Sequence, residues 1–345
     1  MNEIYSNLKA AWHTDTIEAL RIGNTVIPTH VQLVISDLCN QDCSFCHHRM
    51  SNGVATELFP VEGNYNPNRM IPTEKCIEIL DDCKRLGVKA VQFTGGGEPT
   101  VHPDHIRIFK HAQDIGLKTA LITNGYRYQD IDVYNHFEWI RVSLDAGRAD
   151  TYQKIRKHSG FFQVTENIRH MKDLYKGTLG VGFVITPENY QEIELGIETA
   201  WMQGASYIRL AGIISEQGSM AYDDDTYRDI INNIETLKRK YESDRFRIYD
   251  QFNARYMNLR RPDYEFCGYQ YYTVYIGGDQ KVYRCCTTSY TKHGLVGDLA
   301  EQSFHDWVMN SKRDFDARTC NQCQFNDKNR VINYMLHQPK HVEFV

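Results

Sequence analysis

Cys39-Asn40-Gln41-Asp42-Cys43-Ser44-Phe45-Cys46 is the stretch from which the rest of the chain is read. Three thiols fall within these eight residues, with three and then two residues between them. That spacing curls a short loop and lets all three sulfurs face one point. Thiolates are soft ligands that suit zinc or iron–sulfur clusters. A closed structural site normally takes four of them. Either a fourth ligand comes from elsewhere, or one metal position stays open for chemistry.

Outward from the loop, the fold class follows. Val31–Ile35 is a short β-branched run, read as a strand that feeds directly into the loop. Residues 1–30 read as a helical lead-in ending near Pro28. Downstream, 50–72 is a long connection with Gly53, Pro60, Gly63, Pro67 and Pro72, either a lid or a surface excursion. Thr73–Leu86 is a helix with Thr73 as cap and Gly87 as stop, and its Cys76 and Cys83 read as core residues on the apolar face.

Strand and helix then alternate. Ala90–Phe93, Thr119–Ile122, Trp139–Leu144, Leu179–Ile185 and Ser206–Leu210 read as strands. Helices follow at 105–115, 149–155, 162–175, 188–203 and 223–241. Such units give a parallel sheet with helices outside it. The fold class expected is α/β, a partial (β/α)6 TIM-like barrel over 31–250. In such barrels the chemistry collects at the C-terminal ends of the strands. Cys39–Cys46 and Gly95-Gly96-Gly97-Glu98-Pro99 both fall there.

After residue 250 the alternation stops. Tyr269–Ile276 and Lys281–Arg284 flank Gly277-Gly278-Asp279, a hairpin signal, and Ser303–Asn310 reads as a short helix. Five cysteines lie here: Cys267, Cys285, Cys286, Cys320 and Cys323. Residues 251–345 read as a small metal-stapled appendage.

Composition excludes several classes. The 345 residues are 41% hydrophobic and 24% charged, ample for a core. A net charge of −5 gives no global pull toward nucleic acid or anionic membrane. No apolar run reaches the roughly 18 residues of a membrane span. Ten cysteines at metal-like spacings, in a chain that does not start like a secretory signal, point to the cytoplasm rather than to a disulfide framework.

Taken with Gly95–Pro99, the three-cysteine loop resembles the radical SAM enzymes. In that family the loop ligates three irons of a [4Fe–4S] cluster, and S-adenosylmethionine (SAM) binds the fourth. The resemblance makes Cys39, Cys43 and Cys46 the cluster ligands. It puts Phe45 beside the adenine and gives Gly96, Gly97 and Glu98 the methionine ammonium. It lets Ser143 and Asp145 reach the ribose and methionine parts, and it assigns Arg156 to the SAM carboxylate. His47 and His48 read as an exposed pair or as groups that tune the cluster. The C-terminal cysteines resemble a Twitch appendage, the shortened relative of the SPASM domain. There Cys267, Cys285, Cys320 and Cys323 would hold a second, auxiliary [4Fe–4S] cluster, and Gln280 stands where a glycine is usual. The leftover Cys286 would be a substitute ligand, an idle thiol or a hydrogen-atom donor.

The activity this implies is reductive cleavage of SAM, fed by a low-potential donor such as flavodoxin or ferredoxin. The 5′-deoxyadenosyl radical then takes hydrogen from a small polar substrate, sugar-, cyclitol- or nucleoside-like, and a hydroxyl carbon is oxidised. The alternatives are an epimerase with Cys286 as donor, a SPASM-type enzyme acting on a peptide, and a non-catalytic zinc scaffold.

Overall fold

The computed structural model describes residues 4–46, 48, 68–128, 131–213, 222–337 and 340. The lid expected over 50–72 lies, up to residue 67, outside the described residues, as does His47. The six strands read from sequence form as β1 (His30–Leu33), β2 (Ala90–Phe93), β3 (Lys118–Thr123), β4 (Trp139–Ser143), β5 (Thr178–Ile185) and β6 (Tyr207–Gly212). Each pairs in parallel with the next. A seventh parallel strand, β7 (Arg247–Asp250), joins β6 and was not foreseen. Its four residues, Arg-Ile-Tyr-Asp, carry too short an apolar pattern to announce a strand.

The hairpin is not set apart from this sheet. β8 (Thr273–Ile276) pairs in parallel with β1, His30 opposite Thr273 and Leu33 opposite Ile276. β9 (Lys281–Tyr283) and β10 (Leu295–Asp298) continue antiparallel. One ten-stranded sheet results, in the order β10-β9-β8-β1-β2-β3-β4-β5-β6-β7. Tyr269–Tyr272, expected as part of the strand, is instead one helical turn. Asn329 Oδ1 holds the Tyr269 N–H at 2.8 Å and the Tyr269 ring stacks on Phe325 at 4.0 Å, so tertiary contacts override the β-preference of tyrosine. Gln280, at the hairpin turn, adopts φ +63°, the left-handed shape for which glycine is the usual residue.

The helices are α1 (Thr14–Arg21), α2 (Thr73–Leu86), α3 (His105–Asp114), α4 (Ala149–Arg156), α5 (Phe161–Leu174), α6 (Ile193–Met202), α7 (Asp224–Tyr241), α8 (Gln251–Asn258), α9 (Phe304–Asn310) and α10 (Asn326–Leu336). α2 ends at Gly87 with φ +86°, as its sequence requires. Its N-cap is Pro72 rather than Thr73, which begins the helix and hydrogen-bonds Asp104 at 2.6 Å. Cys76 and Cys83 are fully buried core residues.

Side chains alternate between faces along a strand. Val31, Leu33, Val142, Val181, Ile208 and Leu210 pack against the helices in the main core. The opposite face carries Gln32, Arg141, Gly180, Gly182, Tyr207 and Arg209. The lead-in closes the N-terminal end of this interior. Ala10 and Ile17 pack with Tyr272, Ile332, Met335 and Leu336, and the Tyr5 ring reaches in to lie 4.9 Å from Tyr249.

Candidate cofactor site at the strand ends

The cysteine loop leaves β1 and is tied to its neighbours by the backbone. Ser44 N donates to Ile155 O at 2.8 Å and Asp42 N to Arg156 O at 3.3 Å, so the end of α4 seats the loop. Cys43 is buried, and Cys39, Cys46 and Phe45 are half-buried on the same loop. The glycine loop closes from the other side: Gly97 N donates to Ser36 O and Glu98 N to Leu38 O. A Cβ on Gly97 would fall 2.3 Å from Leu38 O, and one on Gly96 2.4 Å from Asp37 Oδ1. Both glycines are required because the glycine loop presses on the chain entering the cysteine loop.

Glu98 is 2% exposed. Its Oε1 accepts from Thr100 N (3.1 Å), Thr100 Oγ1 (2.8 Å) and Thr123 Oγ1 (2.7 Å), and its Oε2 from Asn124 N (2.6 Å). Burial pushes this carboxyl up, against the pull of those hydrogen bonds. A carboxylate has about four acceptor positions, and the one left on Oε2 is what Glu98 has to offer a ligand.

Arg156 and Asp145 form a buried ion pair at 2.8 Å. Arg156 also reaches Gln41 Oε1 (3.0 Å), Cys43 Sγ (3.4 Å) and the Ser143 carbonyl. Burial would drive the guanidinium toward neutrality, but Asp145 and Cys43 reverse that and hold it charged. Asp145, at φ +58°, accepts Val184 N at 2.6 Å. Two buried donors here, Arg156 Nε and Asn40 Nδ2, have no partner among the described residues. Sequence reasoning missed Gln41, which donates to Tyr152 at 2.8 Å, and Asn189, which fixes the Asp145 carbonyl at 2.8 Å. It also missed Asp37, whose carboxylate takes Arg69 at 2.6 Å and the Tyr290 hydroxyl. Asn124, just past the end of β3, was missed as well, although a polar residue at a strand's C-terminal end is itself a signal.

The C-terminal cysteines come together through chain crossings. Isolated bridges join Arg260 to Cys323 and Phe266 to Asp316, bringing the CxxC segment beside Cys267. Burial, then Cys285, raises the Cys267 thiol to about 12; burial, a hydrogen bond from Phe325 and Cys285 leave Cys323 at about 11. Cys320 is pushed up by burial and then by Cys285, Cys267 and Cys323. Thiols this close cannot all ionise without a cation among them, which fits a metal centre. His293 Nε2 lies 3.3 Å from Cys320 Sγ and Thr288 Oγ1 3.4 Å from Cys285 Sγ. Among the described residues no group of three or more His, Cys, Asp and Glu is arranged for a single metal ion. A cluster asks for a wider arrangement, one thiolate to each iron.

Cys286 stands between the two regions. Gln324 Nε2 approaches its sulfur at 3.7 Å, and it packs against Val34, Tyr275, Tyr283 and Tyr290. Tyr275 in turn donates to Gly95 O at 3.4 Å. His48, read as exposed or as tuning the cluster, is half-buried and stacks on Tyr275 at 6.2 Å.

The profile of the Radical SAM superfamily matches residues 33–200. A "Probable GTP 3′,8-cyclase" of Saccharolobus islandicus is 26% identical over 226 residues, 63% of this chain and 68% of its own. The crystal structure of Streptococcus suis SuiB bound to precursor peptide SuiA superposes with TM-score 0.67 at 14% identity, covering 97% of this chain and 80% of that one. The anSMEcpe structure with bound AdoMet gives 0.59 at 12%, covering 90% and 84%. These likenesses in structure are likenesses of fold. No helix among the described residues is long and apolar enough to cross a membrane.

Proposed function

We propose that the chain, whose residues 33–200 match the Radical SAM superfamily and so the family's use of a [4Fe–4S] cluster and SAM, is an enzyme that oxidises a hydroxyl carbon of a small polar substrate. A cluster held there would supply the one electron that cleaves SAM, and the adenosyl group would supply hydrogen abstraction from the substrate. Cys39, Cys43 and Cys46 hold the cluster. The observation that carries this is the convergence of the cysteine loop, the Gly95–Pro99 loop and the Asp145–Arg156 pair at one end of the sheet.

Each residue has a task there. Arg156 sets a positive charge beside Cys43, and its Nε and Asn40 Nδ2 are donors available to SAM. Gly96 and Gly97 bring backbone close to the ligand while Glu98 fixes the turn beneath them and offers Oε2 to the methionine ammonium. Phe45 lies beside the adenine, and Ser143 and Asp145 border the ribose. Cys267, Cys285, Cys320 and Cys323 hold a second [4Fe–4S] cluster with no iron left open. Oxidation of a hydroxyl carbon removes one hydrogen atom, one proton and one electron; solvent would take the proton, and a cluster held by these four cysteines would supply the acceptor for the electron. The parallel pairing of β8 with β1, and Cys286 between the two regions, support such a short path. We take the reductant to be a flavodoxin or ferredoxin and the compartment to be the cytoplasm. A peptide substrate, as bound by SuiB, ranks behind a small one because the lead-in closes the N-terminal end of the interior.

One observation favours a second reading. Cys286 packs on the tyrosines beneath Gly95, where a thiol could return a hydrogen atom and give epimerisation. Anaerobic purification tests the main reading: about eight irons per chain and 5′-deoxyadenosine formed from SAM under dithionite. A colourless zinc protein that leaves SAM intact refutes it. Turnover of the protein with candidate polyols in deuterated water separates the outcomes, since only epimerisation leaves deuterium at the reacting carbon.

A further inference from the structure

A cleft of about 830 Å³ lies between the lead-in and the segment that follows α9. It sits at the other end of β1 from the cysteine loop, where Val26 precedes that strand and Tyr271 precedes β8. Leu20, Val26, Tyr271, Val308 and Leu336 give it an apolar wall. Gly23 also lines it, at φ +71°, and a Cβ there would meet nothing within 4 Å, so the space is open on that side. A volume of this size takes a small organic molecule.

Ser311, Lys312, Arg313 and Asp314 supply polar groups to the same lining. Arg313 is 5% exposed. It donates from Nη1 to Gln270 O at 3.1 Å and from Nη2 to Val26 O, and it lies 4.8 Å from the Tyr271 ring and 5.5 Å from the Trp307 ring. Those contacts use two N–H donors of a fork that has more, and none of them brings a negative charge. Among the described residues no carboxylate lies within ion-pair distance of Arg313 or Lys312. Burial lowers Arg313 to about 10, against Tyr271, so it stays charged near pH 7. Ser311 adds a buried hydroxyl with no hydrogen-bond partner among the described residues, and such groups ordinarily have one. Arg21, also on the lining, has Glu18 at 3.9 Å. Lys312 and Arg313 against Asp314 leave two cations to one carboxylate, a balance of one positive charge.

We propose that this cleft is a second ligand site, which takes a small organic monocarboxylate: the apolar wall holds its body, while Ser311, Lys312 and Arg313 hold its carboxylate. A guanidinium and a hydroxyl are matched donors for carboxylate oxygens, and hydrogen bonds to a charged acceptor are the strong ones. One negative charge equals the balance that the lining leaves. The site is separate from the mouth at the strand ends and independent of the reaction proposed there.

Calorimetric titration of the anaerobically prepared holoprotein with cinnamate, at low ionic strength, tests it. Saturable binding is expected. Thr25→Trp, which adds a ring to the lining from an exposed position, is expected to abolish it. Ser311→Ala is expected to weaken binding at least about fivefold, and Lys312→Met about threefold. These positions are chosen because Arg313 also ties Val26 to Gln270, so its removal would disturb the fold. Absence of binding, or the same affinity in wild type and all three variants, overturns the proposal. Loss in Thr25→Trp without change in Ser311→Ala and Lys312→Met would make the cleft merely apolar and overturn the carboxylate. Equal affinity for uncharged cinnamyl alcohol would do the same.

Discussion

The mouth of the barrel and its interior treat charge in opposite ways. At the mouth the buried acidic side chains are partnered: Asp145 has Arg156, Asp37 has Arg69, and Glu98 takes four hydrogen bonds. In the interior the two arginines Arg141 and Arg209 meet at the Tyr5 ring, and among the described residues no carboxylate lies within ion-pair distance of Arg141. A mouth completed by the protein holds its geometry before any ligand arrives, which suits positioning of a reactive group. An interior that gathers like charges gives up stability.

The largest test of this contrast is at the mouth. Cys43→Ala is expected to abolish 5′-deoxyadenosine formation, read by chromatography, while far-ultraviolet circular dichroism stays that of wild type; surviving cleavage breaks the assignment. Next comes the paired charge itself. Asp145→Asn leaves Arg156 buried and uncompensated, and is expected to cost about 3–5 kcal/mol in denaturant unfolding. A change under about 1 kcal/mol would mean the mouth does not depend on its pairs.

The interior is expected to respond in the other direction. His30 has a folded value near 4, below its ordinary 6.5, so protons favour the unfolded chain. Stability is therefore held at pH 7 and lost as pH falls from about 6.5 toward about 4, by about 2 kcal/mol at pH 5. His30→Gln is expected to flatten that part of the profile in thermal melts run at pH 7 and pH 5. The smallest effect belongs to Lys328→Met. Burial, and then Lys9 and Arg209, disfavour its ammonium, so removing it is expected to leave stability unchanged or raise it by up to about 1 kcal/mol, and a loss of more than that would erase the contrast.

What the sequence discloses follows the range of each interaction. Six strands and α2 were legible because period-2 and 3.6 patterns are local, as was Gly87 as a stop. The cysteine loop was legible because its three cysteines are contiguous in sequence. The pairing of β8 with β1 was not, since a hairpin signal at Gly277–Asp279 names its own turn and no distant partner. The need for Gly97 shows only once Leu38 O is seen to lie against it, and the Asp37–Arg69–Tyr290 group joins three remote segments that share no local pattern. The cations of the interior escaped notice for the same reason, being single residues on alternate strand positions.

The pairing of β8 with β1 also orders events during synthesis. The strand that launches the cysteine loop gains its second neighbour only when residues 273–276 have emerged, about 240 residues after it. Until then β1 has an open edge, and open edges recruit other chains. A ribosome stalled before that point would expose both the edge and three thiols, so the nascent chain needs shelter from aggregation and from oxygen until β8 pairs. On the proposed ligation by Cys39, Cys43 and Cys46, cluster insertion has the same long interval in which to occur before β8 pairs beside β1.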